Sequence, residues 1–151
     1  MPESQESSMD PARLNYYHDL AEGLTCGQDY VITPVVYENF LRAFDDRSPI
    51  HVDAAYAQGL GFAGPVMHGG ILNGFLSHFV GMVLPGANSL LLSVELRFLR
   101  PSYLGDTLRL QAKIAQKVDA QEVVVLHVTF INQTRSCTVA TGRVQAKVRG
   151  T

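Results

Sequence analysis

The run ILNGFLSHFVGMVL, residues 71–84, decides the fold of this chain. As a helix it is apolar almost all round, with Asn73, Ser77 and His78 as its polar interruptions. Such a helix cannot rest on a surface and has to be wrapped by other structure. It falls short of the roughly 20 apolar residues that span a bilayer, so it reads as a buried core helix.

The wrapping follows directly, because from Ser89 onward the hydrophobic period becomes two. In SLLLSVELRF (89–98) Leu90, Leu92, Val94, Leu96 and Phe98 are expected to share a face; in TLRLQAKI (107–114) Leu108, Leu110, Ala112 and Ile114 do. Val124, Leu126, Val128 and Phe130 repeat the pattern in VVVLHVTF (123–130), and Val144, Ala146 and Val148 in RVQAKV (143–148). The breaks RPSYLGD (100–106), KVDAQE (117–122) and NQTRSC (132–137) are short and turn-rich, which predicts antiparallel hairpins or neighbours. With an early strand near QDYVIT (28–33), the expected class is α+β: one curled antiparallel sheet around one central helix.

Upstream, PVVYENFLRAF (34–44) spaces Val36, Phe40 and Phe44 in one helical row and Tyr37 with Leu41 in another. Thr33 then Pro34 supplies an N-cap and a first-turn proline. A second short helix is expected after Asp53, over AAYAQ (54–58), with Gly59 ending it. Residues 1–13 are polar, with neither a basic segment followed by an apolar core nor an anchor, and read as a disordered leader before one domain at 14–151. The absence of targeting signals points to the cytoplasm and away from the membrane.

Composition narrows the function. A chain of 151 residues can bury roughly two thirds of its unfolded surface without staples. Twelve Lys and Arg against 14 Asp and Glu, a net charge of −2, leave no basic footprint for nucleic acid. Cys26 and Cys137 match no metal spacing and read as free thiols. His18, His68, His78 and His127 form no close ligand pair, so no metal or other cofactor is expected.

The chemistry concentrates in DDRSPIHVD, residues 45–53. Pro49 disfavours helix at Ser48 and has no amide hydrogen, so the helix should end near Asp46 and the chain continue extended. Asp46 and His51 then flank a stiff turn that can aim a carboxylate and an imidazole at one water. Taken alone, Asp, Ser and Pro are also ordinary turn residues. Nearby, GPVMHGGILNG (64–74) places Gly69 and Gly70 at a helix start, where amide hydrogens without intrahelical acceptors can hold a developing oxyanion. Close backbone packing at a helix entry would select the same glycines. His68, beside them, reads first as a structural histidine and is the one of its type worth testing.

The order YYHDLAEGLTCGQDY…ENFLRAFDDRSPIHVDAAYA…GPVMHGGIL…LRFLRPSYLGDTL resembles the MaoC-like family of (R)-specific enoyl-CoA hydratases from about Tyr16 onward. The resemblance implies a hot-dog fold, a homodimer or higher assembly, an acyl-CoA thioester substrate and a D-x-N-P-x-H motif. Asp46 and His51 match its acid and base, Pro49 its proline, and Gly69 the backbone amide that holds the thioester oxygen. Ser48 stands where that motif has asparagine, offering fewer hydrogen-bonding atoms to the turn.

Two rival readings differ in their chemistry. A hot-dog thioesterase also carries HGG, but with a carboxylate on the following helix; here the aligned position is Ser77, and no Asp or Glu occurs between His68 and Val94. A non-catalytic acyl-CoA binding module would keep the fold without the chemistry.

Overall fold

The computed structural model of the protein describes residues 10–150. Most of the expected leader, residues 1–9, lies outside the described residues. Its last residue belongs to the fold: the Arg13 amide donates to the Met82 carbonyl at 3.0 Å, and the Arg13 carbonyl accepts from Ala87 at 2.8 Å.

Helix α1 (Pro34–Phe44) starts where the sequence supplies cap and proline, with Thr33 Oγ1 accepting from the Val36 amide at 3.2 Å. It ends at Asp45, which adopts the left-handed conformation at φ 51°. Phe44 does not reach the core with Val36 and Phe40; it is exposed and packs its ring 4.8 Å from that of Phe40. The extended run expected to continue through Pro49 does not form; Ser48, at φ −50° and ψ 133°, is the N-cap of a new helix. Pro49 instead opens a short helix, α2 (Pro49–Val52), because a proline needs no amide acceptor at the first helical position. Asp53 then caps α3 (Ala54–Gly59), its carboxylate accepting from Tyr56 at 3.0 Å.

Helix α4 (Gly69–Met82) lies along the inner face of five antiparallel strands: β1 (Thr25–Val31), β2 (Ser89–Phe98), β3 (Thr107–Val118), β4 (Val123–Asn132) and β5 (Cys137–Val148). Ile71, Leu72, Leu76, Phe79 and Val80 bury against Leu108, Leu110, Ile114, Leu126, Phe130 and their neighbours. Leu76 and Phe79 are fully buried, sites where truncation to alanine costs about 2–5 kcal/mol. The sheet covers only part of this helix: Asn73, Gly74, Ser77 and His78 remain exposed along one side.

The strand order is β1-β3-β4-β5-β2. The β3–β4 and β4–β5 hairpins form as expected, turning through Glu122 and Ser136, each at φ 53°. The RPSYLGD segment is no hairpin: β2 pairs with β5 at the far edge, so this segment crosses from that edge toward β3. A second correction lies within β2. Its register with β5 shifts between Leu91 and Ser93, and a bulge of one residue reverses the facing of everything before it. Val94 and Phe98 therefore lie opposite buried Val144 and Ala140 on the helix side, whereas Leu90 pairs with exposed Lys147 on the outer side. Even on the inner side, β2 is the outermost strand and much of it stays uncovered.

The crossing segment is fastened by Asp106, which is 1% exposed. Its carboxylate accepts from the Tyr103 amide at 2.9 Å, from Asn132 Nδ2 at 2.6 Å and from Arg135 Nε at 2.9 Å.

Candidate active site

Asp46 and His51 leave α1 on opposite sides of the Ser48-Pro49 turn, and the fold adds a third side chain from α4. Ligating atoms of Asp46, His51 and His68 all lie within 4.8 Å of one another. The Asp46 carboxylate is exposed and accepts from the Ser48 amide at 3.3 Å. The Ser48 carbonyl in turn accepts from the His51 amide at 2.8 Å. Ser48 thus braces the turn through its main chain, and its hydroxyl makes no capping bond.

His51 is oriented from two sides. Its Nδ1 lies 2.6 Å from the Val66 carbonyl, which can only accept, so Nδ1 carries the hydrogen and Nε2 is left with a free lone pair. The His51 carbonyl accepts from the Tyr37 hydroxyl at 2.6 Å. Burial pushes the Tyr37 phenol up from its ordinary pKa, with Arg47 pulling weakly the other way, which keeps it a neutral donor.

Gly69 opens α4 behind an extended His68. The first amides of a helix have no intrahelical acceptor, and neither Gly69 nor Gly70 donates to a loop or cap carbonyl among the described residues. The two face different surroundings. Gly69 lines the cleft that holds His51, and an added Cβ would sit 2.9 Å from the Phe98 ring. Gly70 backs onto Phe40, whose ring an added Cβ would meet at 2.7 Å, and it borders a separate groove between α1 and α4.

The cleft has a volume of about 360 Å³ and a mostly apolar lining that includes His51, Val66, Leu72, Phe98, Arg100 and Ser102. Sequence reasoning missed Arg100 and Ser102, because both belong to the crossing segment, whose turn-rich composition predicts a hairpin. Arg47 pairs instead with Asp45 at 2.7 Å, and Arg97 lies on the outer face of the sheet with Glu95 and His127. A larger depression of about 570 Å³ on β1, β3 and β4 contains Arg109 and Lys113, but Arg109 is engaged by Asp29 at 3.1 Å and no carboxylate lines the depression among the described residues. Ser77, the position at issue for hydrolysis, is exposed two turns into α4 and does not line the cleft.

Two imidazoles and a carboxylate suggest a metal site, but the rings do not fit one. His51 and His68 stack with centroids 3.9 Å apart and planes 29° from parallel. A metal must lie in both ring planes, about 2 Å from each nitrogen, and planes so disposed meet well beyond that reach.

Residues 21–135 match the MaoC like domain. The chain is 29% identical over 133 residues to an (R)-specific enoyl-CoA hydratase of Rhodospirillum rubrum, covering 88% of each protein. It is 29% identical over 106 residues to a 3-hydroxybutyryl-CoA dehydratase of Methylorubrum extorquens, covering 70% of this chain and 68% of that one. The R-hydratase PhaJ1 of Pseudomonas aeruginosa superposes with a TM-score of 0.82 at 28% identity, over 90% of this chain and 86% of that one.

Proposed function

Since the chain belongs to the MaoC-like domain family and has the hot-dog fold, we propose that it hydrates trans-2-enoyl-CoA thioesters reversibly to (R)-3-hydroxyacyl-CoA, as a hydro-lyase. The observation that carries this reading is that His51 and Gly69, at the start of α4, line one apolar cleft while the Asp46 carboxylate lies within 4.8 Å of a His51 ring nitrogen. The names of the hydratase and dehydratase relatives support it.

In the proposed mechanism, the Asp46 carboxylate and His51 Nε2 hold one water. Its oxygen attacks C3, one of its protons passes to the pair, and the C2–C3 π electrons move toward the carbonyl to give an enolate. The Gly69 amide stabilises that oxygen by about 3 kcal/mol, the scale of one oxyanion donor. Collapse of the enolate takes a proton at C2 from the same pair, so the sum is addition of water with the thioester intact. Ser48 and Pro49 set the turn. Gly70, turned toward Phe40, is secondary to Gly69 as an oxyanion donor. Arg100, the cation on the cleft wall, is our candidate for the CoA phosphates.

Incubation with a short trans-2-enoyl-CoA, followed by both enoyl absorbance and free thiol, tests the reaction. Absorbance should fall without thiol release, and EDTA should leave the rate unchanged. Thiol release matching substrate loss would establish a thioesterase, and no change in either signal over several chain lengths would favour a binding module.

We take residues 14–151 as one MaoC-like domain, to which Arg13 is tied by two backbone hydrogen bonds, and place it in the cytoplasm; no helix among the described residues is long and apolar enough to cross a membrane. Its assembly is a homodimer or higher homo-oligomer. Strand β2 has β5 on one side only, and it exposes Leu90, Leu92, Val94 and Phe98. A long apolar edge of this kind calls for a partner strand. Sedimentation at micromolar concentration should give at least twice the 16.5 kDa chain mass, and Leu92→Glu should shift the protein toward monomer. A wild-type chain sedimenting only at 16.5 kDa would refute the assembly.

A further inference from the structure

Loop 45–48 carries the proposed acid yet has few ties to the rest of the protein. The Asp45 amide bonds back to Leu41, Arg47 pairs with Asp45, and the Ser48 amide bonds Asp46, all within the local chain. Among the described residues, the hydrogen bond that reaches this loop from a distant element comes from His68, whose Nε2 donates to the Asp46 carbonyl at 2.8 Å. The same ring stacks on His51 and immediately precedes Gly69. One side chain therefore touches the backbone of the acid and the ring of the base, and adjoins the oxyanion donor.

We infer that His68 is a positioning residue that sets the Asp46 carboxylate relative to His51 and Gly69. This rests on the hydratase reading and assigns His68 a role within it. The ring is 2% exposed, held by Phe40 at 4.6 Å and Tyr37 at 6.0 Å between centroids. Because a carbonyl only accepts, Nε2 carries the hydrogen of this bond; Nδ1 is buried and has no partner among the described residues. With Nε2 committed to the Asp46 carbonyl and Nδ1 facing no polar group among the described residues, the ring acts as a fixed donor and not as a member of the proton relay. An orphaned buried nitrogen costs stability, and this one accompanies the ring's bond to Asp46 and its stack on His51. Loss of the tie frees the Asp46 main chain, and misplacement of a catalytic group by about 1 Å is enough to cost on the order of 100-fold in rate.

The test compares His68→Phe, which keeps an aromatic ring but no donor, with His68→Gln, whose side-chain amide can again reach the Asp46 carbonyl. His68→Phe should lower kcat about 100-fold with KM changed less than about twofold, and His68→Gln should recover about tenfold of that loss. Combined with Asp46→Asn, His68→Phe should add almost nothing, because it acts through Asp46. A readout without substrate is amide hydrogen exchange at Arg47 and Ser48, which should accelerate in His68→Phe and return toward wild type in His68→Gln. Wild-type kcat in His68→Phe, equal losses in the two variants at equal melting temperature, or multiplication with Asp46→Asn would each overturn the assignment. Unchanged exchange at 47–48 would overturn it without reference to activity, whereas an inactive wild-type chain with accelerated exchange in His68→Phe would sink the hydratase reading alone.

Discussion

Asp46→Asn and His51→Ala should each abolish most hydration, lowering kcat by roughly 100- to 10,000-fold, while leaving secondary structure and oligomeric state unchanged. Asp46 is exposed, and asparagine keeps its shape, so the substitution removes charge and little else. His51 is half-buried, and its loss deprives the Val66 carbonyl of its donor at 2.6 Å, a stability cost of about 1 kcal/mol. The double variant separates this mechanism from one with independent groups. If both side chains hold the same water, removing the second after the first should matter little. Multiplying losses would mean that the two act on different events, and the shared-water mechanism would have to be given up.

What could be read from the chain alone follows from how local each determinant is. Asp46 and His51 are joined by a proline-stiffened turn, so their juxtaposition is written in a few adjacent residues. The faces of β3 and β4 are similarly local: Leu108, Leu110, Ile114, Leu126 and Phe130 fall at even positions of a period-two pattern and are fully buried. Strand β2 fails that logic because LLL at 90–92 offers an apolar residue on either parity, and the bulge there is set by pairing with β5, some fifty residues downstream. Pro49 was legible as a helix breaker but equally serves as a helix starter, and α2 follows the second option. The crossing segment was the least legible. Its turn residues are real, yet where it runs is fixed by which strand β2 pairs with, and that hid Arg100 and Ser102 from the cleft. Position beside Gly69 singled out His68; its bond to Asp46 is a tertiary fact with no sequence signal.

That crossing segment supplies a large expected loss of stability outside the apolar core, at Asp106. Asp106→Ala removes the acceptor for the Tyr103 amide, for fully buried Asn132 Nδ2 and for Arg135 Nε. Arg135 also lies over the Tyr103 ring at 4.2 Å, so one carboxylate organises the loop, the end of β4 and the β4–β5 turn. Breaking a buried ion pair from one side costs about 3–5 kcal/mol. Arg135 is 40% exposed and regains some hydration, which places the expected loss near about 3 kcal/mol. Asp106→Asn should recover only part of it, since its amide nitrogen would face donors. The site should feel the change as well. The Met67 amide donates to the Ser102 carbonyl at 2.8 Å, joining this segment to the residue before His68. Urea unfolding of Asp106→Ala should show a lower midpoint at an unchanged m-value, and the folded fraction should have a raised KM for enoyl-CoA because Arg100 and Ser102 are no longer held at the cleft wall. A midpoint shift worth less than about 0.5 kcal/mol, the scale of an ordinary surface substitution, would mean that the segment is held by its backbone bonds to Ile32 and Met67 and not by the Asp106 carboxylate.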